Sequence, residues 1–401
     1  MRIPAIVYVL ALGAFALITT EFGVIGILPQ ISEAFRITID RAGWLLSGFA
    51  LVIALLGPWM TLLFSKVNRK FSLSLVLFAF FLSNIASVFS PTFNVLLLAR
   101  LLPAFVHPVF WSIAMSVAAA SVETKRSSRA VSIVFTGFSA GIVLGVPMAS
   151  FVAGSYGWEG AFLVFSVLNA VALIAHLILI PSMPVTRRLS FGSQLGVLRK
   201  PILWLNLALQ VLLTAAVFSI YAYMADYLKI VTEMDVRSIS LMLFLFGTAG
   251  FFGTLAAGSL MGPYLSATAS GFMALFAPTL FLIFLFGQSY PVAVVLVVIW
   301  GFVHAPAVPL CQALILRAAP EAPEFSNSLF NSFGNLGLTA GTMVGGFFIS
   351  FLGIRVLPLA SISLLAVAAL VFLMERRLYA RQGRAQEKPR LNQANVCSCR
   401  L

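Results

Sequence analysis

Between Arg237 and Arg317 the chain carries no Asp, Glu, Lys or Arg, and its one histidine there is His304. One membrane span takes ~20 apolar residues, so this stretch has to cross a bilayer about three times. The pattern extends to the whole chain. Of its 401 residues 61% are hydrophobic and 9% are charged, where soluble domains carry roughly 25% charged residues. Lipid cannot satisfy an open backbone, so the crossing segments must be helices.

Apolar segments fall near 5–28, 42–64, 71–90, 93–119, 131–153 and 159–181. A second set falls near 202–228, 238–262, 267–287, 291–316, 326–350 and 354–374. Between them stand charge clusters such as SKVNRKFS and VETKRSSR, or Gly/Pro breaks such as MGPY. The start of the chain has a small-residue site at Ala14-Phe15-Ala16 that resembles a signal cleavage site. The apolar run continues to about Leu28, so a retained first helix is expected.

The net charge of +13 raises the question of nucleic acid. Its placement answers it. With the N-terminus inside, only Arg36, Arg41, Lys229, Arg237 and Arg355 fall outside, and Arg100 falls within a span; the rest of the 25 Lys and Arg are internal. That is the positive-inside pattern, so the charge reports topology and both termini are expected in the cytoplasm. No nucleic-acid partner is expected; lipid is the partner. The longest polar connection, 182–200, divides an N-terminal six-helix bundle (1–181) from a C-terminal one (201–375). A basic tail (376–401) follows, expected to be disordered or to lie on the surface. Cys311, Cys397 and Cys399 form no disulfide or zinc framework, and no metal or cofactor is expected.

The halves repeat. SAGIVLG (Ser139–Gly145) matches TAGTMVG (Thr339–Gly345) at a spacing of 200, and Phe-Val-His occurs at 105–107 and again at 302–304. Weak internal symmetry of this kind marks transporters built from duplicated bundles. Gly141 and Gly145 leave one helix face bare for close packing.

Four passages resemble the major facilitator superfamily, within it the drug:proton antiporter branch near bacterial sugar efflux transporters. They are ITTEFGVIGILPQI in the first helix, GPWMTLLFSKVNRK between the second and third, ARLLPAFVHPVFWSI in the fourth, and GIVLGVPMASFVAGSYGWEGAF from the fifth into the sixth. The resemblance implies an all-α membrane protein of 12 transmembrane helices in two pseudo-symmetric six-helix bundles. It implies export of sugars or drug-like solutes, and assigns Lys66, Arg69, Lys70 and Pro147 to gating and packing motifs. Ser65 and Asn68 depart from the loop motif, which normally has an acidic residue and a glycine there. Val106 departs from the usual alanine before the histidine.

Charges in mid-membrane are costly and therefore functional candidates. Counted from helix ends near Leu28 and Phe93, Glu21 and Arg100 both lie ~10 Å deep, so a pairing between them, direct or through water, is expected. His107 and Trp111 continue the Arg100 face of the fourth helix, and Pro103 and Pro108 bend it. His107 and His304 both come out ~20 Å deep and are expected to face each other across the substrate path. Phe110, Trp111, Tyr223 and Trp300 are candidate cavity lining. Phe110, Tyr221, Tyr223 and Trp300 fit packing as well, His176 fits a structural role, and Asp226 fits a solvated mouth.

No P-loop is present, so an ion gradient or the substrate's own gradient must drive transport. A buried carboxylate with an arginine and a histidine suits protons. The expected protein is a monomeric secondary transporter, not an enzyme, exporting a small-molecule substrate by proton antiport. Proton-coupled uptake uses the same parts in reverse. A histidine-dependent membrane acyltransferase and a non-transporting sensor are the readings from other classes.

Overall fold

The computed structural model describes residues 3–64, 67–123, 127–184, 192–321 and 323–398. Its helices long and apolar enough to cross a membrane are α1 (Ala5–Phe35), α2 (Ile39–Gly57), α3 (Arg69–Val88) and α4 (Phe93–Ala120). Ala130–Leu179 is long enough to cross twice and bends at Gly157, whose φ of 77° suits glycine; it gives α5 (130–156) and α6 (158–179). Then come α7 (Pro201–Ile230), α8 (Val236–Ala257), α9 (Tyr264–Phe286), α10 (Tyr290–Ala318), α11 (Ser326–Leu352) and α12 (Ile354–Tyr379). The protein is an all-helical membrane protein. The last helix runs on to Ser398, so the tail, expected to be disordered or to lie on the surface, is helical to that residue.

Local chemistry sets the helix ends. The Asn68 side chain accepts from the Lys70 N–H at 3.0 Å to start α3, and Thr92 accepts from Val95 to start α4. Asp235 accepts from Ser238 at 3.2 Å to start α8, which holds its carboxyl below the usual carboxylate range. Pro201 and Pro291 sit in the first turns of α7 and α10, where a missing N–H costs nothing.

Several crossings are broken. α1 runs as a helix to Gly23, passes through a 3₁₀ turn at Val24–Ile27 and resumes at Leu28. α7 breaks between Tyr221 and Met224. α4 breaks between Ala104 and His107, and α10 between His304 and Ala307, each at a proline that cannot donate into the preceding turn. The α4 and α10 breaks are 200 residues apart, the spacing of the glycine segments.

Those glycines confirm the register. A Cβ on Gly137, Gly141 or Gly145 would collide with Ala11, Ile18 and Phe15, or Thr19 of α1. Gly337, Gly341 and Gly345 stand the same way against Val211, Ala215 and Ser219 of α7. Ala11 and Val211, Phe15 and Ala215, and Thr19 and Ser219 are again 200 apart. The groove therefore packs helices within each half and is not the surface between halves.

The halves meet mainly at the end away from the N-terminus. Ser240 donates to Ser150 at 3.1 Å, Thr339 donates to the Ser47 carbonyl at 3.1 Å, and Lys229 pairs with Glu33. The Tyr223 hydroxyl donates to Thr342 at 2.9 Å and sits over Gly43 and Gly346. One apolar cluster there runs through both halves, from Ile25 and Phe162 to Phe246 and Trp300. Toward the N-terminal end the core divides, with Leu10, Leu17, Phe80 and Phe110 in one half and Ile202, Leu203, Leu207 and Ile315 in the other. The stripe of α5 that meets α8 through Val143, Ser150 and Gly154 continues toward this end as Ser132, Phe135 and Thr136, all exposed. The halves are closed at the far end; toward the near end α5 parts from α8, while α2 still meets α11 where Gly57 faces Ser332.

Candidate functional site

α1 extends to Phe35, beyond the Leu28 expected from its sequence, because Leu28–Phe35 resumes as an amphipathic turn pair. Glu21 consequently lies fourteen residues from the far end, and His107 also lies fourteen from Phe93. Depth therefore matches Glu21 to His107. The structure agrees: Glu21 Oε2 lies 3.1 Å from His107 Nε2, with the residues 4% and 5% exposed.

Arg100 does not reach the Glu21 carboxylate directly, so the direct form of the expected pair is not made. Its Nη1 donates to the Thr20 carbonyl at 2.9 Å and its Nη2 to the Glu21 carbonyl at 3.3 Å. These carbonyls belong to the last turn before the 3₁₀ break, the negative end of a helix, where a cation is stabilised. Arg100 thus caps α1 from within, fully buried, with its guanidinium over Phe49 at 5.4 Å and Phe162 at 5.9 Å. Behind α1, Asn169 and Asn84 both donate to the Thr20 hydroxyl, at 2.8 and 3.3 Å. Sequence reasoning missed both. They are isolated amides in apolar helices, costly enough there to have been a signal.

His107 opens the second half of α4, on the proline break. Its ring is collared by Phe49 at 5.7 Å and Phe80 at 5.9 Å. Trp111 Nε1 donates to the same Nε2 at 3.0 Å. Among the described residues no hydrogen-bond partner reaches its Nδ1. A neutral imidazole nitrogen has one in-plane lone pair. Two lone pairs facing each other at 3.1 Å repel, so the Glu21–His107 contact is attractive only with a proton between them. Trp111 competes for the same nitrogen. Three groups therefore meet at one nitrogen.

His304 is the last residue before its break. Its Nδ1 approaches the Gly301 and Trp300 carbonyls of its own helix at 2.9 and 3.1 Å, and its ring stacks on Phe246 at 4.4 Å. It does not face His107. The breaks stand 200 apart while the two Phe-Val-His triplets stand 197 apart, so the histidines are out of register. Position 107 corresponds to Ala307, and His304 to Ala104.

Phe110 is buried against His176 and Trp111, so it does not line a cavity. Tyr223 and Trp300 are also buried, one bridging the halves and the other packed on Phe246 at 4.7 Å. Trp111 is half-buried. Tyr221 packs on Phe246 at 5.0 Å, and His176 bonds the Ala172 carbonyl at 2.8 Å. Asp226 is 7% exposed rather than solvated. Glu375, fully buried and 2.9 Å from Arg317, is a charge pair that sequence reasoning did not pick out.

Lys66 lies outside the described residues. Arg69 donates its N–H to Met183, and Lys70 Nζ donates to Leu177 at 2.8 Å; both tie the loop to the end of α6. Pro147 is buried inside α5. The run GFSAG at 137–141 has the G-x-S-x-G spacing of a hydrolase elbow, yet it lies mid-helix against α1 and lacks the strand–turn–helix that exposes such a serine.

Two six-helix repeats, closed at one end over a buried ionisable cluster, define a membrane transporter. The chain belongs to the Major Facilitator Superfamily, whose family model matches residues 10–324 and 267–396. It is 30% identical over 378 residues to the inner membrane transport protein YdhP of Escherichia coli strain K12, covering 94% of this chain and 97% of that one. Among solved structures it is similar to a bacterial homolog of the human lysosomal transporter Spinster in an inward-facing, unoccupied conformation. There the TM-score is 0.74 at 19% identity, covering 95% of this chain and 99% of the other. It is also similar to a mutant of the nucleoside transporter NupG, with a TM-score of 0.75 at 14% identity, covering 93% and 100%. The protein is thus a multi-pass inner-membrane transporter and not an enzyme, which sets the acyltransferase reading aside.

Proposed function

We propose that the protein is a proton-coupled antiporter of the drug:proton branch, exporting small solutes, sugars or drug-like compounds, by alternating access. Both termini lie in the cytoplasm, so the parted end opens inward. Residues 1–181 and 201–375 move as two bodies about the far-end contacts, joined by 182–200, with 376–401 as a cytoplasmic tail. The working unit is a monomer.

One observation carries this reading: the Glu21 carboxylate and the Trp111 N–H meet at the same nitrogen of His107. With the proton present, the carboxylate and imidazole attract. Without it, Trp111 satisfies the nitrogen and the carboxylate stands unpaired in a dry setting, a costly state that a conformational change or a solute relieves. Arg100, held by the α1 carbonyls, keeps Glu21 oriented through that exchange.

The test is transport in inverted vesicles under an imposed pH gradient. Glu21→Gln and His107→Ala are expected to abolish gradient-driven flux while solute equilibration persists. Unchanged gradient-driven flux in both would overturn the assignment, and accumulation in the opposite sense would establish uptake.

A further inference from the structure

We infer that the parted end of the cavity selects an uncharged, two-faced solute, with one apolar face and hydroxyl or amide groups along the other. This rests on the transporter reading above and narrows its substrate class.

The sides of α11 can be told apart. Leu336, Met343, Phe347 and Phe351 are exposed and mark its lipid side. Gly337, Gly341 and Gly345 face α7, and Thr339 and Gly346 meet α2 and the turn before it. Asn331 and Asn335 fall on the remaining arc, which looks into the gap. Asn331 is exposed there, and Asn335 is half-buried and donates to the Asn331 carbonyl at 3.0 Å. Nearer the end, Gln312 donates to Asn327 at 3.1 Å. A ladder of amides therefore lines this wall, and α11 has no charged residue from Ser326 to Leu352.

The opposite wall is aromatic. Phe135 is exposed on the gap side of α5, 6.2 Å from Phe138, which lies 5.4 Å from Trp111. Phe135 and Asn335 are 200 residues apart, so they are the same position of the repeat. The frame is shared and the chemistry is opposed.

Carboxamides both donate and accept, which suits hydroxyls and amides. Ring faces suit an apolar surface. An ion entering this gap loses water and meets no charged residue over 130–156 of α5 or Ser326–Leu352 of α11. Glu21 and His107 are occupied with each other, and Arg100 with the carbonyls of α1.

The test is binding to the purified full chain in detergent, read by quenching of tryptophan fluorescence. The probes are 4-nitrophenyl β-glucoside (uncharged), ethidium (cationic) and benzoate (anionic). The uncharged probe is expected to bind saturably, and the two ions at least ~10-fold more weakly. Asn335→Leu and Phe135→Ala are each expected to weaken the uncharged probe about 10-fold, and Asn335→Asp to move preference toward ethidium. Probe binding is read with no pH gradient imposed, which separates this result from that of the pH-gradient experiment. Equal or tighter binding of either ion overturns the inference, as does absence of saturable binding by the uncharged probe. Wild-type affinity in both Asn335 variants overturns it too. Should Asn335→Leu fail to fold, the three-probe comparison on the wild type and the Phe135→Ala variant decide the matter.

Discussion

At the break in α4, His107 reaches across to a carboxylate of α1. At the matching break in α10, His304 reaches only the carbonyls of its own helix and an aromatic stack. The two halves keep the same glycines against the same neighbours, so their frames are one frame used twice. Their charges are not repeated. The position matching Glu21 is Tyr221, and the positions matching His107 and Trp111 are Ala307 and Cys311. Duplication preserved what packs, while the contact between a buried carboxylate and an imidazole is made in the first half and the amides of α11 stand in the second. A rocking carrier needs both halves to fit at their joints, but it needs only one proton site.

The sharpest way to break this comparison is to remove each histidine in turn. His107→Ala is expected to reduce pH-driven flux to background, as Glu21→Gln does. His304→Ala is expected to leave coupling intact and lower stability by about 1–3 kcal/mol through lost packing, read as thermal unfolding in detergent. Equal loss of coupling in both would restore the symmetric reading. Next in size is Arg100→Met, which leaves the Thr20 and Glu21 carbonyls unpaired. It is expected to cost about 3 kcal/mol and to shift the unfolding temperature more than any single change in the corresponding position of the second half.

The glycines test the shared frame. Gly141→Leu and Gly341→Leu each force a side chain into a facing helix, and each is expected to destabilise by about 1–3 kcal/mol. A large cost in one and none in the other would mean that the halves are not equivalent there. Smallest is Lys229→Glu. It removes an exposed ion pair with Glu33 at the far end, a change of at most about 1 kcal/mol. Its expected effect is a modest rise in far-end accessibility to a thiol reagent at Ala34→Cys, which keeps Glu33, with folding unchanged.

The architecture was legible in the sequence because lipid imposes one rule on every span: long apolar runs must be helices, and breaks must carry charge, glycine or proline. The 200-residue repeat was legible in the glycines because close approach of two backbones leaves few substitutes. The site was half legible. Glu21, Arg100, His107 and Trp111 stood out by charge and by helical spacing. Their partners did not, because the end of α1 was placed at Leu28 and a seven-residue error moves a side chain by two turns. The Phe-Val-His pair misled for a different reason: three residues in an apolar chain match easily, and nothing in them fixes register. Tyr223, Trp300 and Phe110 are aromatic like a lining but are buried, and a sequence does not distinguish the two.

The most direct measurement is infrared difference spectroscopy of the full chain across a pH step, following the carbonyl stretch of a protonated carboxyl. The account predicts a carboxyl band that is absent in Glu21→Gln, displaced in His107→Ala and unchanged in His304→Ala. A band that survives Glu21→Gln, or that responds to His304→Ala as strongly as to His107→Ala, would contradict a single proton shared by Glu21 and His107.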